Sequence, residues 1–379
     1  MPNKKVATSR DASVPAVAVI GAGISGLFAA RTLADRGLNV KVFDKGRGLG
    51  GRMSTRRVDG KSCFDHGAQY FTARDPRFQS YVQSWMEQGV VAKWPDPQLD
   101  PAQKDQKDPA QKDPAQKIVV FKNGERTEQE DSNERFVGTP AMNSVCHHLA
   151  AGLDVRTATR IETVEPIHHG KNVAGRSIRL TDNEGNHVGD FDCLIVTAPA
   201  AQTAELLVNF PVLAAPISKV QMQPCWAVMA SFEKPVGDDW VGAFIHDSIV
   251  TWAARNSTKP QRPNEREHLL IHAGHDWTAE NWERDPVVVA EEVLREFWKS
   301  AGLDVQTPVH LQAHRWKYAI PIDPPAERYF FDAESMIVAC GDWAGGPRVE
   351  GAFLSGMAAA ERILDALQSV EFDDTTAPD

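Results

Sequence analysis

The sequence predicts an α/β protein: a doubly wound parallel sheet built from discontinuous segments, with a strand-rich α+β unit inserted into it. Three observations predict this. A strand–turn–helix–strand unit with a glycine-rich turn begins near residue 16. Apolar runs typical of buried strands recur at 193–197 and 336–340. Residues 220–275 alternate strand and turn signals and are rich in aromatic and β-branched residues. Of the 379 residues 42% are hydrophobic and 24% charged, a balance that can fill a sizeable core. The net charge is −10, from 41 Lys plus Arg against 51 Asp plus Glu, which argues against nucleic acid or an anionic membrane as partner. The five cysteines, at 63, 146, 193, 225 and 340, form no CxxC pair. That spacing indicates neither a zinc ribbon nor a disulfide framework, and it fits a reducing, cytoplasmic compartment.

Met1–Val14 is polar and reads as a tail. Val17–Ala34 is apolar, but it carries three patterned glycines and runs into Arg31, Asp35 and Arg36. It reads as strand, turn and helix rather than a leader. Ala16–Ile20 is the first strand. Leu27, Ala30, Leu33 and Ala34 recur at helical spacing, Gly37 is a natural stop, and Leu38–Phe43 is the second strand. Residues 95–117 hold three copies of DPAQK and five prolines, so a solvated, disordered insertion is expected there. A helix is expected after Gly138–Thr139–Pro140, a turn at 182–185, an amphipathic helix over Pro286–Ala301 and a last helix over Ala352–Leu367. No segment has the run of uncharged apolar residues that a transmembrane helix needs. The expected boundaries are 15–80, 140–220 and 335–370 for the nucleotide-binding domain. The substrate domain takes 81–139 and 221–334.

The GAGISG turn (Gly21, Gly23, Gly26) follows a strand and opens a helix, and Asp44 lies 18 residues after Gly26 at the end of the next strand. This is the dinucleotide fingerprint: a tight turn, close backbone approach to the pyrophosphate, close helix–strand packing, and a carboxylate for ribose hydroxyls. Gly46–Ser54 (GRGLGGRMS) supplies a second glycine-rich loop with arginines, and Arg52 can grip phosphate oxygens in bidentate fashion. Simple NAD dehydrogenases do not need such a loop, so it points to FAD. Near the C-terminus MIVACGDWAGG puts Asp342 directly after a strand, where it can accept from a ribityl hydroxyl or serve as a helix N-cap. Val349, Gly351 and Ala352 open a helix that can face the flavin. A Rossmann-type FAD-binding domain with an inserted mixed-sheet substrate domain is therefore expected.

Several longer segments carry a resemblance. Phe64–Phe78, Val137–Ser144, Thr251–Pro260, Leu269–Trp277, Ala313–Ala319 and Cys340–Gly356 resemble bacterial renalases, within the amine-oxidase-like FAD oxidoreductases. The resemblance spans Val17 to Leu367, the DPAQK insertion excepted. It implies a p-hydroxybenzoate-hydroxylase/amine-oxidase-like fold and noncovalent FAD. It also implies oxidation of 2- and 6-dihydro isomers of NAD(P)H to NAD(P)+, with O2 reduced to H2O2. By the resemblance Ile24, Ser25, Asp44, Lys45, Gly51, Arg52 and Met53 fall on the nucleotide side. Gly67, Ala68 and Gln69 fall near the flavin ring, Ile161 gives a backbone contact to adenine, and Thr197 and Pro199 pass close to the cofactor.

A dihydropyridine gives up hydride directly, so no catalytic base is required and positioning carries the work. No GxSxG, HExxH or metal-spaced histidine cluster occurs, and no metal is expected. Asn256 and His272 are candidates for hydrogen bonds to a nicotinamide carboxamide or ribose, and Tyr70 or Trp252 for stacking. Each reads equally well as a structural residue; His314 and Trp316 read as structural. The expected partners are the dihydronicotinamide and O2, on a monomer or weak homodimer. The alternatives are an amine or amino-acid oxidase and a non-catalytic FAD-binding sensor or scaffold.

Overall fold

The computed structural model describes residues 14–58, 60, 62–95, 117–128, 133–167, 177–237 and 240–375. The tail before residue 14 and the DPAQK copies lie outside the described residues. A six-stranded sheet runs in the order Tyr329–Asp332, Ile337–Cys340, Cys193–Val196, Ala16–Ile20, Asn39–Phe43, Asp154–Arg156. All its neighbours are parallel except the edge hairpin of Tyr329–Asp332 on Ile337–Cys340. Val17, Val19, Val40, Val42, Cys193 and Ile195 are wholly or nearly buried on one side. Ala18, Ile20, Leu194 and Val196 fill a second cluster on the other. Burial on both faces explains why these strands read as unbroken apolar runs.

Helix Ile24–Asp35 follows the glycine turn and packs against the C-terminal helix, Arg348–Thr375. The latter starts four residues before the expected Ala352 and runs past Leu367. Gly351 is thus inside the helix, in its first turn, where a Cβ would lie 1.9 Å from the Gly346 carbonyl oxygen.

The second sheet has seven strands in the order His310–Ile322, Gln221–Phe232, Glu267–Ala273, Val250–Arg255, Trp240–His246, Lys117–Lys122, Glu125–Glu128. It is antiparallel except where Trp240–His246 pairs with Lys117–Lys122. Helix Pro286–Ala301, capped by the Asp285 carboxylate and closed by Gly302 at φ 64°, covers one face. Trp226, Val228, Ala243, Ala253, Ile271 and Ala313 point to that helix. Alternate residues point the other way, as a period of two requires: Ile118, Val241, Trp252 and Ala254 join the core cluster of the six-stranded sheet, and Met229 and Leu270 pack on Phe64.

The two helices flanking the cofactor sheet approach each other through a missing side chain. A Cβ at Gly356 would sit 2.2 Å from the Ser25 carbonyl oxygen. Gly356→Ala therefore forces the helices apart and is expected to cost about 1–3 kcal/mol; an unchanged urea midpoint would refute this close approach.

Candidate cofactor groove and substrate face

The carboxyl ends of the parallel strands carry Gly21, Asp44, Thr197 and Asp342, where open α/β sheets bind their ligands. Gly21 sits at φ 113°, and its N–H donates to the Phe43 carbonyl (2.8 Å). A Cβ there would meet Thr197 Oγ1 at 2.3 Å. Thr197 Oγ1 donates to the Ile20 carbonyl (3.1 Å), which pins the turn to the neighbouring strand. A Cβ at Gly26 would sit 2.1 Å from the Gly21 oxygen, whereas Gly23 faces open space. The turn is thus packed from behind and open in front.

Asp44 accepts from the Ala22 N–H through one oxygen and from the Gly46 N–H through the other, each at 2.6 Å. Both oxygens keep a lone pair for a ribose hydroxyl. The second glycine loop folds back onto the first: the Gly50 N–H donates to the Ala22 carbonyl (2.9 Å). Asn143 packs against Gly50, donates to the Leu49 carbonyl at 3.3 Å, and keeps its buried Oδ1 without a partner among the described residues. A buried, unsatisfied polar atom at this edge fits a site completed by a bound group. Lys45 extends to Gln202 Oε1 (3.0 Å).

Three of the residues expected on the nucleotide side have buried side chains. The side chains of Ile24 and Met53 lie in the core, and Ser25 Oγ is 3.5 Å from Cys340 Sγ. Ile161 and Val349 are likewise buried side chains, while Ala352 and Pro199 are partly covered. Glu350 turns away to accept from the N–H groups of Arg74 and Asp75, both at 2.7 Å.

Arg52 and Asp342 differ from expectation. Their side chains grip each other in a bidentate pair (2.7 and 2.6 Å), and Arg52 also donates to the Ala319 carbonyl at 3.3 Å. Opposite charges on the two loops that meet at the groove satisfy each other there. Arg52 is about one quarter exposed and Asp342 nearly buried, so the guanidinium's free edge still borders the groove.

The turn after Arg52 continues the wall. The Ala68 N–H donates to the Arg52 carbonyl (2.8 Å), and a Cβ on Gly67 would lie 2.0 Å from that oxygen. Gln69 Nε2 donates to the carbonyls of Asp65 and Gly67. Behind the turn Asp65 is fully buried. It accepts from Lys259 (3.0 Å) and Arg262 (2.8 Å), whose side chains have no exposed surface, and from Thr55 Oγ1 (2.6 Å). Burial would raise its pKa, but the two cations and the Thr55 hydroxyl more than offset that and hold it far below the carboxylate range. Burial lowers the Lys259 ammonium to about 8, against the pull of Asp65.

Asn256 is corrected to a structural role. It is wholly buried, donates to the Cys63 carbonyl (2.8 Å) and accepts from the Asp65 N–H (3.4 Å), so neither end is left for substrate.

The inner face of the seven-stranded sheet carries one row of directly opposed residues: Phe244, Trp252, His272, Ala227 and His314. Direct opposition puts these side chains on the same face. His66, from the turn, lies against the rings of His314 (4.9 Å) and Trp316 (5.0 Å). Its carbonyl accepts from Trp316 Nε1 (2.9 Å) and His272 Nε2 (3.4 Å). Tyr70 packs on Trp252 at 5.4 Å beneath Arg135. Burial pushes His66 down to about 3 and His272 and His314 to about 4, with Arg56 adding to the effect on His66 and His314. All three imidazoles are neutral at pH 7.

Comparison with known proteins adds the family. The pattern described as "Flavin containing amine oxidoreductase" matches residues 112–364, more than half of the chain. The chain belongs to that family. A "NAD(P)-binding Rossmann-like domain" pattern matches residues 19–85. The flavoprotein's fold is that of putrescine oxidase: a cofactor-binding redesign of that enzyme superposes with a TM-score of 0.67 at 15% identity, over 93% of this chain and 99% of the other. Wild-type putrescine oxidase bound to putrescine gives 0.66 at 14% identity, over 93% and 99%. Among curated proteins, 4,4'-diapophytoene desaturase from Staphylococcus aureus (strain Newman) is 36% identical over 77 residues, covering 18% of this chain and 15% of that protein. Protoporphyrinogen oxidase 2 of Arabidopsis thaliana is 44% identical over 66 residues, covering 17% and 13%. The chain thus spans about one seventh of the curated relatives it matches. The cofactor is FAD, and the open glycine turn, Asp44 and the unsatisfied Asn143 edge fit it. Among the described residues no helix is long and apolar enough to cross a membrane, and no group of three His, Cys, Asp or Glu could hold a metal.

Two outcomes test this geometry. Arg52→Ala leaves Asp342 without its cation beside an anionic ligand, so FAD affinity should fall about tenfold or more, roughly 1.4 kcal/mol; titration of apoprotein with FAD giving equal affinity would refute it. Asp65→Asn strands two buried cations and should cost about 3–5 kcal/mol at pH 7. Because the Asp65 pKa is depressed in the folded state, its contribution is present above the ordinary carboxylate range and is lost as pH falls below about 4. Urea unfolding at several pH values should therefore show a shallower acid limb in the variant than in wild type.

Proposed function

We propose that this flavoprotein oxidises a 2- or 6-dihydro isomer of NAD(P)H to NAD(P)+, with O2 as the final acceptor and H2O2 as product. The observation that carries the reading is the chemistry of the substrate face. Its row holds aromatic rings and neutral imidazoles and no carboxylate. Such a surface suits a planar, uncharged dihydropyridine and carries no carboxylate to ion-pair with an ammonium group. Bound noncovalently, FAD supplies a hydride acceptor that O2 re-oxidises.

On this reading Gly21, Gly23 and Gly26 leave room for the diphosphate, the Ile24–Asp35 helix start and Arg52 meet its charge, and Asp44 holds the adenosine ribose. Asp342, held in place by Arg52, accepts from the ribityl chain. Trp252 and Tyr70 orient the dihydropyridine ring, and His272 offers its remaining ring nitrogen to the carboxamide. No side chain has to remove a proton, because the hydride leaves carbon directly. The work of the face is alignment and exclusion of water.

The family match favours a second reading, oxidation of an amine. Anaerobic mixing of the FAD-loaded protein with 2- and 6-dihydro-NAD(P), ordinary NADH and a panel of amines separates the two. Rapid bleaching of the flavin by a dihydro isomer, with slow or no response to amines, is the expected result. The reverse pattern establishes the amine oxidase, and bleaching by none of them leaves the sensor or scaffold.

A further inference from the structure

We propose that Lys259 and Arg262 set the redox preference of the bound flavin, because their pairing with one carboxylate leaves a single buried positive charge that stabilises the negative charge of the reduced ring. The inference depends on FAD and not on which substrate reduces it.

The count is two cations against Asp65, and among the described residues no second carboxylate reaches either cation. Neither side chain has exposed surface, so water does not screen the excess. Lys259 also donates to Gln69 Oε1 (3.4 Å) and lies 5.4 Å from the Trp94 ring centre. Gln69 holds the carbonyls of Asp65 and Gly67, and Ala68 holds the Arg52 carbonyl. Arg52 in turn grips Asp342 at the carboxyl end of its strand. The charge therefore sits one turn behind the wall formed by Gly67, Ala68 and Arg52, and Arg52 reaches Asp342, whose strand lies three places along the sheet from the one that ends at Asp44. A dinucleotide whose adenosine ribose rests on Asp44 brings its far ring to the Asp342 side.

The balance is simple. A hydride brings two electrons and one proton to the ring. With no further proton the ring gains one negative charge. O2 then removes two electrons, takes that proton and one more from solvent, and leaves as H2O2. A fixed positive charge nearby favours the reduced form without moving during the reaction.

Sulfite tests this without turnover, because its lone pair forms a bond to the oxidised ring and leaves the same added negative charge there. In FAD-loaded Lys259→Met and Arg262→Met, each of which still leaves Asp65 one cation, the sulfite dissociation constant should rise on the order of tenfold. The midpoint potential should fall by about 30 mV for each tenfold change, the two-electron value. Lys259→Arg should restore both. Values within about twofold of wild type in both Met variants, or a Lys259→Arg protein as impaired as Lys259→Met, overturn the proposal. Wild type supplies an independent arm should the variants fail to fold. The titratable and charged groups facing Lys259 are Asp65, Arg262, Cys63 and His272; Asp65 titrates far below neutrality, burial pushes the Cys63 thiol up, and burial lowers His272 to about 4. Corrected for the probe's own protonation, sulfite affinity should fall through a midpoint near 8, where Lys259 loses its proton. A flat profile there overturns the proposal as well.

Discussion

The arrangement rests on a carboxylate that belongs to one sheet's loops and is held by cations belonging to the other's. Asp65 follows the short strand Ser62–Phe64, while Lys259 and Arg262 follow the strand Val250–Arg255 of the seven-stranded sheet. Burying three charges carries a large desolvation cost that their attraction offsets only when the geometry is good. Here the geometry is completed by Thr55, by the Met142 N–H on the same oxygen, and by Gln69. Asn256 fixes the backbone leading into the carboxylate, at the Cys63 carbonyl and the Asp65 N–H. The turn from Cys63 to Tyr70 is consequently determined from both sides. It is also the segment that touches the Arg52 backbone at one end and the substrate face at the other.

That clamp explains why the groove and the substrate face stay in register. The groove is built from backbone: glycines with no room behind them, N–H groups, and a helix start. Backbone sites need their loops held, and the loops here hold one another. Gly50 donates to Ala22, Gly46 and Ala22 donate to Asp44, and Arg52 closes onto Asp342. The Arg52–Asp342 pair also reaches the Ala319 carbonyl, so the cofactor loop and the long strand His310–Ile322 share a partner.

The groove was legible in the sequence because its determinants are local. Gly21, Gly23, Gly26 and Asp44 lie within one βαβ unit, and spacing along the chain translates directly into spacing in the fold. The amphipathic helix Pro286–Ala301 was legible for the same reason, with its aspartate cap, proline start and glycine stop all in place. Asp65, Lys259 and Arg262 were not legible. The carboxylate and its cations are separated by 194 and 197 positions, and no periodicity links them. Lys259 and Arg262 lie in the polar run Arg255–Glu267, which reads as an exposed loop, so no local signal marks them as buried. Asn256 misled in the other direction. A polar residue at the end of a strand looks like a ligand contact, but its amide was committed to a backbone 191 positions away.

His314 and Trp316 show the limit most clearly. Two apart on a strand, they necessarily share a face, but which face depends on what lies beneath. The order of the neighbouring strands decides it. Ala227 opposes both His272 and His314, and its neighbours Trp226 and Val228 point into the helix-covered core. The small residue between the two histidines leaves room for His66, whose carbonyl then gathers the Trp316 and His272 N–H groups. A substrate face with three neutral imidazoles thus follows from one alanine's register and one turn's insertion. Burial rather than any base partner keeps those imidazoles uncharged, so the face presents ring surfaces and uncharged hydrogen-bonding nitrogens.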